Sequence, residues 1–263
     1  MPIRPLTFRE RLDVPFALIQ ANITTLAGLS LAGLFIAETI VVVLTASLSG
    51  LTDGSDTATW WGAIGSTAVC AWLLRYALRG TTVAIGLATV SGHRVGWRAA
   101  LGRLRDRALP LLVFQLLFTL VGLGVIVVSC VLIITAPAAL PWLGWLRAKR
   151  FVAVPAIFAE RIGHAPAVHR AKLLAAGSEW SMAGLWMAQR ALFALLAVPL
   201  LGIPLFLVDF TGTHRWPVIV LVTSAVLLLI AFGEVVEASS RVVSYVDLRC
   251  RREGLDIRIP EAR

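Results

Sequence analysis

The sequence has few charged side chains, which make up 15% of its 263 residues, whereas apolar side chains make up 58%. A soluble chain of this length is usually about one quarter charged. The deficit excludes an ordinary soluble domain, because this much apolar surface needs lipid around it. The mean hydropathy of +0.84 agrees. The sequence therefore predicts an integral membrane protein.

Motifs for metal binding and catalysis are missing too. The three cysteines, Cys70, Cys130 and Cys250, are far apart and form no CxxC pair, and the four histidines form no HExxH. A disulfide framework or a zinc site is therefore not expected. Because no GxSxG marks a nucleophile, we predict that the protein is not an enzyme and has no cofactor. The N-terminal MPIRPLTFRERLD does not resemble a cleavable signal peptide.

What the sequence does contain is a series of long uncharged runs. A membrane-spanning helix needs about 20 mostly apolar residues. Residues 108–146 carry no charge and would extend about 58 Å as one helix, nearly two bilayer cores. We expect this run to fold back at APAALP, residues 136–141. The predicted fold class is all-α, a polytopic membrane protein with six spans at about 24–48, 60–78, 110–135, 141–160, 190–208 and 216–233.

The basic residues predict the orientation of these spans. With six spans, 22 of the 24 lysines and arginines fall on the side that holds both termini. Positive loops remain in the cytoplasm, so we predict cytoplasmic N- and C-termini in a bacterial inner membrane. The net charge of +9 is mostly this orientation signal. Binding to nucleic acid is therefore not expected.

A short amphipathic segment precedes each predicted hairpin, at residues 7–19, 92–109 and 163–177. The first opens with Thr7 and Glu10, the pattern of a capping box. We predict three interfacial helices and a pseudo-threefold arrangement of helix-plus-hairpin units, within one membrane domain with a short cytoplasmic tail. The alternative is that these are ordinary basic loops that happen to be helical. The predicted unit boundaries are about 1–91, 92–162 and 163–250, with the tail at 251–263.

Three stretches carry a resemblance to a known family: PLTFRERLDVPFALIQANITTL, PAIFAERIGHAPAVHRAKLLAAG and VSYVDLRCRREGLDI. The chain resembles a large bacterial family of six-span proteins named after the membrane domain of some glycerophosphoryl diester phosphodiesterases. The resemblance covers nearly the whole chain and implies the membrane part only. The catalytic part of those enzymes resembles a β/α barrel of about 250 residues, for which this chain has no room. Arg170 and Lys172 depart from the family pattern in the third basic helix.

Ionisable residues within the predicted spans are the candidate site residues. Each costs about 2.5–3.5 kcal/mol at the centre of a membrane helix and is a functional candidate for that reason. We expect an Arg190–Glu234 ion pair, a Glu237–Arg241 pair on one helix at the membrane interface, and Glu38 facing Arg147. Such charges lock helix packing, line a polar cavity, or form an ion path. The candidates are Glu38, Arg75, Arg147, Arg150, Arg190, Glu234 and Glu237.

The fourth predicted span is the most heavily charged. It contains Arg147, Lys149 and Arg150. Arg147 and Arg150 are three residues apart and would share one helical face, whereas Lys149 would reach towards water. Pro155 is expected to break the helix below them.

Two functional hypotheses follow. The first is a non-enzymatic membrane scaffold or subunit whose basic cytoplasmic face binds anionic lipid of the cytoplasmic leaflet and a partner protein. The second is a lipid- or solute-handling, transporter-like protein with Arg147, Arg150, Arg190, Glu38 and Glu234 around a polar cavity. A water-accessible cavity around Arg147 and Arg190 favours the second hypothesis, and a dry, fully paired interior favours the first.

Overall fold

The computed structural model of the chain describes residues 4–131, 136–211 and 215–254. Within these ranges the chain consists of helices joined by short turns and contains no strand, so the predicted all-α class is confirmed. The helices are α1 (Phe8–Ala21), α2 (Ile23–Leu51), α3 (Asp56–Val90), α4 (Trp97–Asp106), α5 (Ala108–Val131), α6 (Ala136–Ala148), α7 (Ala153–Ala159), α8 (His164–Ala175), α9 (Glu179–Thr211) and α10 (Arg215–Glu253).

Four helices in the described part of the chain are long and apolar enough to cross a membrane: α2, α5, α9 and α10. Helices α2, α9 and α10 contain the predicted spans that begin near residues 24, 190 and 216, and α5 contains residues 110–131 of the span predicted at 110–135. Residues 132–135 lie outside the described part of the chain. Only 17% of the most apolar stretch of α2 and of α9 is buried within the protein. Because the remaining apolar surface needs a nonpolar solvent, these helices indicate a multi-pass membrane protein.

The second predicted span lies in α3, which is one continuous helix but is not among those four. Its membrane-length part contains serine, threonine and glycine between the apolar residues, and Arg75 and Arg79 follow. These residues lower its hydropathy. The count of six spans therefore remains a prediction.

The fourth predicted span is not one helix, which corrects the sequence interpretation. Helix α6 ends at Ala148, a turn occupies residues 149–152, and α7 begins at Ala153. Within the turn, the N–H of Arg150 donates to the carbonyl of Arg147 at 3.1 Å, a tight three-residue step. The break precedes Pro155, which lies in the first turn of α7, where a missing N–H costs little.

The turn predicted at residues 136–141 is also wrong, because these residues form the start of α6. Pro137 is in the first turn of that helix, where proline is tolerated. The residues that precede α6, 132–135, lie outside the described part of the chain.

The chain forms two compact units. The first unit consists of Met1–Ile23, Gly80–Arg190 and Val236–Arg263, and the second of Thr24–Arg79 and Ala191–Val235. Helices α3, α9 and α10 contribute residues to both units. The pseudo-threefold units expected from the sequence remain a prediction.

The first unit contains the three short helices that were expected before the hairpins, α1, α4 and α8. The capping box of α1 is confirmed, since Thr7 Oγ1 accepts from the N–H of Glu10 at 3.3 Å and Glu10 Oε2 accepts from the N–H of Thr7 at 2.8 Å. The C-terminal part of α10 is buried on all sides within this unit, with Val242, Val243 and Ser244 fully enclosed. A helix enclosed in this way is a core element around which others pack.

The second unit is built from the more apolar parts of α2, α3, α9 and α10. Helices α2 and α3 approach closely at Gly33, where an added Cβ would lie 2.8 Å from Leu74 Cδ1. A small residue at such a point lets two membrane helices pack tightly. Large apolar side chains such as Phe35 and Phe206 are exposed on the outside of this unit.

Candidate functional site

Glu234 on α10 is the centre of the ion-pair cluster in the second unit. Arg79 Nε lies 2.6 Å from Glu234 Oε1 and Arg79 Nη2 lies 3.0 Å from Oε2, a two-point contact. Arg75 Nε lies 2.9 Å from Glu234 Oε2. The side chains of Arg79 and Glu234 are each 1% exposed, so this is a buried ion pair.

The predicted Arg190–Glu234 pair is wrong. Glu234 binds the two arginines of α3, and Arg190 instead pairs with Glu237. The pair was predicted from equal depth in a hairpin, which locates a residue along its helix only to about one turn. Depth does not determine which face of α10 carries each glutamate.

Glu237 is the centre of a second cluster, within the first unit. It accepts from Arg190 of α9 and from Arg241, one turn further along α10. The predicted Glu237–Arg241 pair is thus confirmed, and it is buried within the protein, with both side chains 1% exposed. Its position at the membrane interface remains a prediction. The Arg241 guanidinium also lies 5.2 Å from the ring of Phe151, a distance typical of a cation–π contact.

Glu38 in the second unit accepts a hydrogen bond from Thr223 Oγ1 at 2.7 Å through Oε1. Its other carboxylate oxygen is buried and has no hydrogen-bond partner among the described residues. Arg147 belongs to the first unit, so the expected contact between Glu38 and Arg147 remains a prediction. Within the first unit, the Arg147 guanidinium lies 4.2 Å from the ring of Phe118 and 5.1 Å from that of Trp186.

The cations of the fourth predicted span do not share one helical face. Because α6 ends at Ala148, Arg150 lies in the following turn, and the three-residue spacing from Arg147 no longer places them together. The Lys149 ammonium lies 3.4 Å from the ring centre of Trp145. Burial lowers the pKa of His164, and the positive charge of Arg150 lowers it further.

The first unit contains a cleft of about 820 Å³. We call it the arginine cleft, after Arg103, Arg107, Arg161 and Arg249, which line it. Among the described residues, Asp106 is the one acidic residue on its lining and His93 the one histidine. Its apolar lining includes Leu87, Ala88, Phe158 and Val246.

Backbone contacts fix two of these arginines. Arg103 Nη1 donates to the carbonyl of Ala84 at 3.2 Å, and Arg107 Nη1 donates to the carbonyl of Arg161 at 3.1 Å. Arg161 has a φ of 55°, in the left-handed region that non-glycine residues rarely adopt. The Arg107 contact helps to hold this unusual backbone, which follows α7.

The nearby carboxylates are paired with Arg170 beside the cleft. Arg170 Nε lies 2.9 Å from Glu160 Oε1, and the Arg170 guanidinium also contacts Glu253. The hydrogen bond to Glu160 is the main cause of a raised Arg170 pKa. Tyr245 of the lining donates its hydroxyl to Glu160 at 2.9 Å, and Arg249 Nε donates to Glu253 at 2.8 Å.

None of the residues predicted from the sequence as a site lines the arginine cleft. Its arginines lie in the cytoplasmic stretches of the predicted topology and were counted only as an orientation signal. The one local signal was Arg103 and Arg107, four residues apart and therefore close to one helical face. Arg161 and Arg249 are too distant in sequence for any spacing to connect them.

Comparisons of the chain with protein-family models, with curated proteins and with solved structures found no match. The six-span family resemblance therefore remains a prediction. The class that the structure itself defines is an all-helical protein with four helices able to cross a membrane.

Proposed function

We propose that the protein is a non-enzymatic scaffold or subunit of the bacterial inner membrane. In this proposal it crosses the membrane six times with both termini in the cytoplasm. Its basic cytoplasmic face binds anionic lipid of that leaflet and a partner protein. The observation that carries the proposal is the arginine cleft of the first unit, with four arginines and a single aspartate on its lining.

The pairing of the candidate intramembrane charges supports this hypothesis over a polar transport cavity. Glu234 is bonded to Arg75 and Arg79, and Glu237 to Arg190 and Arg241. A buried charge that is paired costs far less than one that is not. These clusters therefore fit a role in helix packing.

The outer faces of α1 and α4 support an interfacial position. Phe8 and Phe16 of α1 and Trp97 and Leu101 of α4 are exposed, although each helix buries another face. An exposed apolar stripe beside basic residues is typical of a helix lying in the membrane interface. Each basic residue near an anionic surface contributes about 1 kcal/mol of attraction.

A lipid- or solute-handling protein is the second candidate, and Glu38 favours it. One carboxylate oxygen of Glu38 is buried without a hydrogen bond from any described residue. Such an oxygen is costly unless it binds a proton, a solute or water. In this candidate, Glu38 is the first residue of a polar path inside the membrane.

Native mass spectrometry of the protein released gently from its own membrane tests the proposal. We expect retained anionic phospholipid and a stoichiometric second protein. A bare monomer, or retention of zwitterionic lipid alone, would contradict the proposal. A small solute that is retained by the wild type and lost in a Glu38→Gln variant would support the second candidate instead.

A further inference from the structure

Among the described residues, the lining of the arginine cleft carries more positive than negative charge. Its four arginines and Asp106 sum to three formal positive charges when His93 is neutral, and one of the four, Arg249, is paired with Glu253. Among the described residues, Arg103, Arg107 and Arg161 take part in no ion pair. The bonds of Arg103 and Arg107 go to backbone carbonyls, which satisfy one N–H each but leave the charge uncompensated.

The arginines are also positioned to bind a ligand. A guanidinium has five N–H donors in a fixed plane, so one backbone contact leaves most of them for another acceptor. That planar set matches the oxygens of a phosphate, which it binds through two parallel hydrogen bonds. Because Arg103 and Arg107 are each tethered at one nitrogen, less side-chain freedom is lost when they bind.

The nearest acidic groups do little to oppose an anion here. Glu160 and Glu253, which accept from the lining residues Tyr245 and Arg249, both contact Arg170. Arg170 therefore offsets part of their negative charge. Asp106 remains the one carboxylate on the lining, and it is exposed to water.

The lining of the cleft contains apolar side chains as well as basic ones. Leu87, Ala88, Phe158 and Val246 lie on its lining, and its volume of about 820 Å³ falls in the range of small-molecule sites. A free inorganic anion would leave these apolar side chains without a contact. A ligand that carries both a phosphate and hydrocarbon could contact the basic and the apolar residues.

We propose that the arginine cleft binds the phosphate group of an amphiphilic phosphate ester. The inference rests on the proposed function, since it names the site and the chemistry through which the basic face holds anionic lipid. A lipid headgroup and a water-soluble phosphate share this chemistry, and the experiment below separates them.

Arg161 provides a variant that separates binding from folding. Its left-handed backbone, at a φ of 55°, is unfavourable for arginine and costs nothing for glycine. Arg161→Gly therefore removes a cleft guanidinium while relieving the backbone. Arg107 is unsuitable for this purpose, because its side chain supports the Arg161 carbonyl.

The experiment uses native mass spectrometry of the full chain in detergent, titrated with phosphatidylglycerol or phosphatidylcholine. The test variant is Arg103→Gln/Arg161→Gly. The matched control is Arg98→Gln/Arg105→Gln, which also removes two positive charges, but from positions of α4 outside the cleft lining. It therefore measures how much retention depends on the general attraction between the basic face and anionic lipid. We expect the test variant to retain at least about tenfold less phosphatidylglycerol than the control variant does, a difference of about 1.4 kcal/mol.

Equal retention by the test and control variants would overturn the cleft inference, while the proposed function would survive with lipid bound elsewhere. Competition with inorganic phosphate distinguishes the two ligand sources. If inorganic phosphate binds the wild type and phosphatidylglycerol does not, the cleft is a phosphate site but the lipid-binding function fails. If neither probe binds in preference to phosphatidylcholine, both proposals fail. Arg161→Gly alone, with an unchanged melting temperature and weaker retention, excludes misfolding as the cause.

Discussion

In the second unit, Glu234 neutralises the buried Arg79 and also binds Arg75, so the charges of this cluster are paired. The first unit contains an open cleft lined by Arg103, Arg107 and Arg161. Among the described residues, Asp106 is the one acidic side chain on that lining. Both arrangements contain arginine, but the arginines differ in their exposure to water. A charge removed from water needs a partner, whereas a charge left in a wet cleft remains available to a ligand.

The first unit shows the same contrast within itself. Glu237 and Arg241 are buried together on α10, whereas Arg103 of α4 lines the open cleft and has no ion pair among the described residues. Burial therefore indicates which arginines hold the fold and which remain available for binding.

Glu234→Gln should have the largest effect on stability, a loss of about 3–5 kcal/mol, because it leaves the enclosed Arg79 charge without its carboxylate. Unfolding by urea in detergent micelles, followed by tryptophan fluorescence, measures this loss. The double variant Arg79→Leu/Glu234→Leu removes both members of the pair and should recover most of it. A loss below about 1 kcal/mol for Glu234→Gln would show that the pair is not important for stability.

Asp247→Asn should have the second-largest effect and lower the free energy of unfolding by about 2 kcal/mol. The effect should be limited to the segment before α1. The buried Asp247 accepts from the N–H of Leu6 at 2.6 Å and from Arg251 Nε at 3.0 Å, and Arg11 lies 3.8 Å away. The asparagine side chain still accepts hydrogen bonds through its oxygen, but the substitution removes the negative charge that balances Arg11. Limited proteolysis should cut the residues before α1 faster in the variant. An unchanged cleavage rate would show that Asp247 does not hold this segment.

Arg190→Leu should lower the free energy of unfolding by less, about 1 kcal/mol. Glu237 remains paired with Arg241 in this variant, and the Arg190 side chain is 35% exposed in the wild type. Lipid retention should be unchanged, since Arg190 is not part of the cleft lining. The same unfolding and mass-spectrometry assays measure both quantities. If the variant folds normally but no longer retains lipid, Arg190 belongs to a binding site. The proposed distinction between buried arginines that hold the fold and cleft arginines that bind would then be wrong.

Substitutions in the cleft should change the free energy of unfolding by less than about 0.5 kcal/mol, which is usual for a surface position. Arg103→Gln is the example, and its effect should appear in binding alone. Raising NaCl from about 0.1 to 1 M shortens the Debye length from about 10 to 3 Å and should release lipid from the wild-type cleft. The enclosed Arg79–Glu234 pair should resist the same salt. Lipid retention that is independent of salt would argue against an electrostatic site.

The sequence was most informative where a long uncharged run decided the structure. Helices α2, α9 and α10 follow from such runs, and the Thr7–Glu10 capping box follows from its spacing. Glu234 and Glu237 were both recognised as candidates, but their partners depend on which face of α10 each residue occupies. Counting residues along a hairpin does not determine that face.

Two features could not be predicted from local patterns. The break between α6 and α7 depends on tertiary contacts, since Phe151 and Val152 of the turn are almost completely buried. The arginine cleft combines residues from α4, from the segment after α7 and from α10. Its arginines are separated by up to 146 positions, from Arg103 to Arg249, and only the folded chain brings them to one cavity.

Glu10→Gln should have the smallest effect, visible only at the first turn of α1. The N–H of Thr7, then Arg4 and then the Thr7 hydroxyl lower the pKa of Glu10 from 4.5 to about 2. A carboxyl with a lowered pKa stabilises the folded form above its ordinary pKa and loses that contribution as pH falls towards 2. Amide exchange at the start of α1, corrected for intrinsic rates, should therefore accelerate between pH 5 and about 2.5 in the wild type. The variant should lack this pH dependence, whereas Thr7→Ala should weaken the cap at both pH values by about 1 kcal/mol. The same pH dependence in Glu10→Gln would assign the titration to another group.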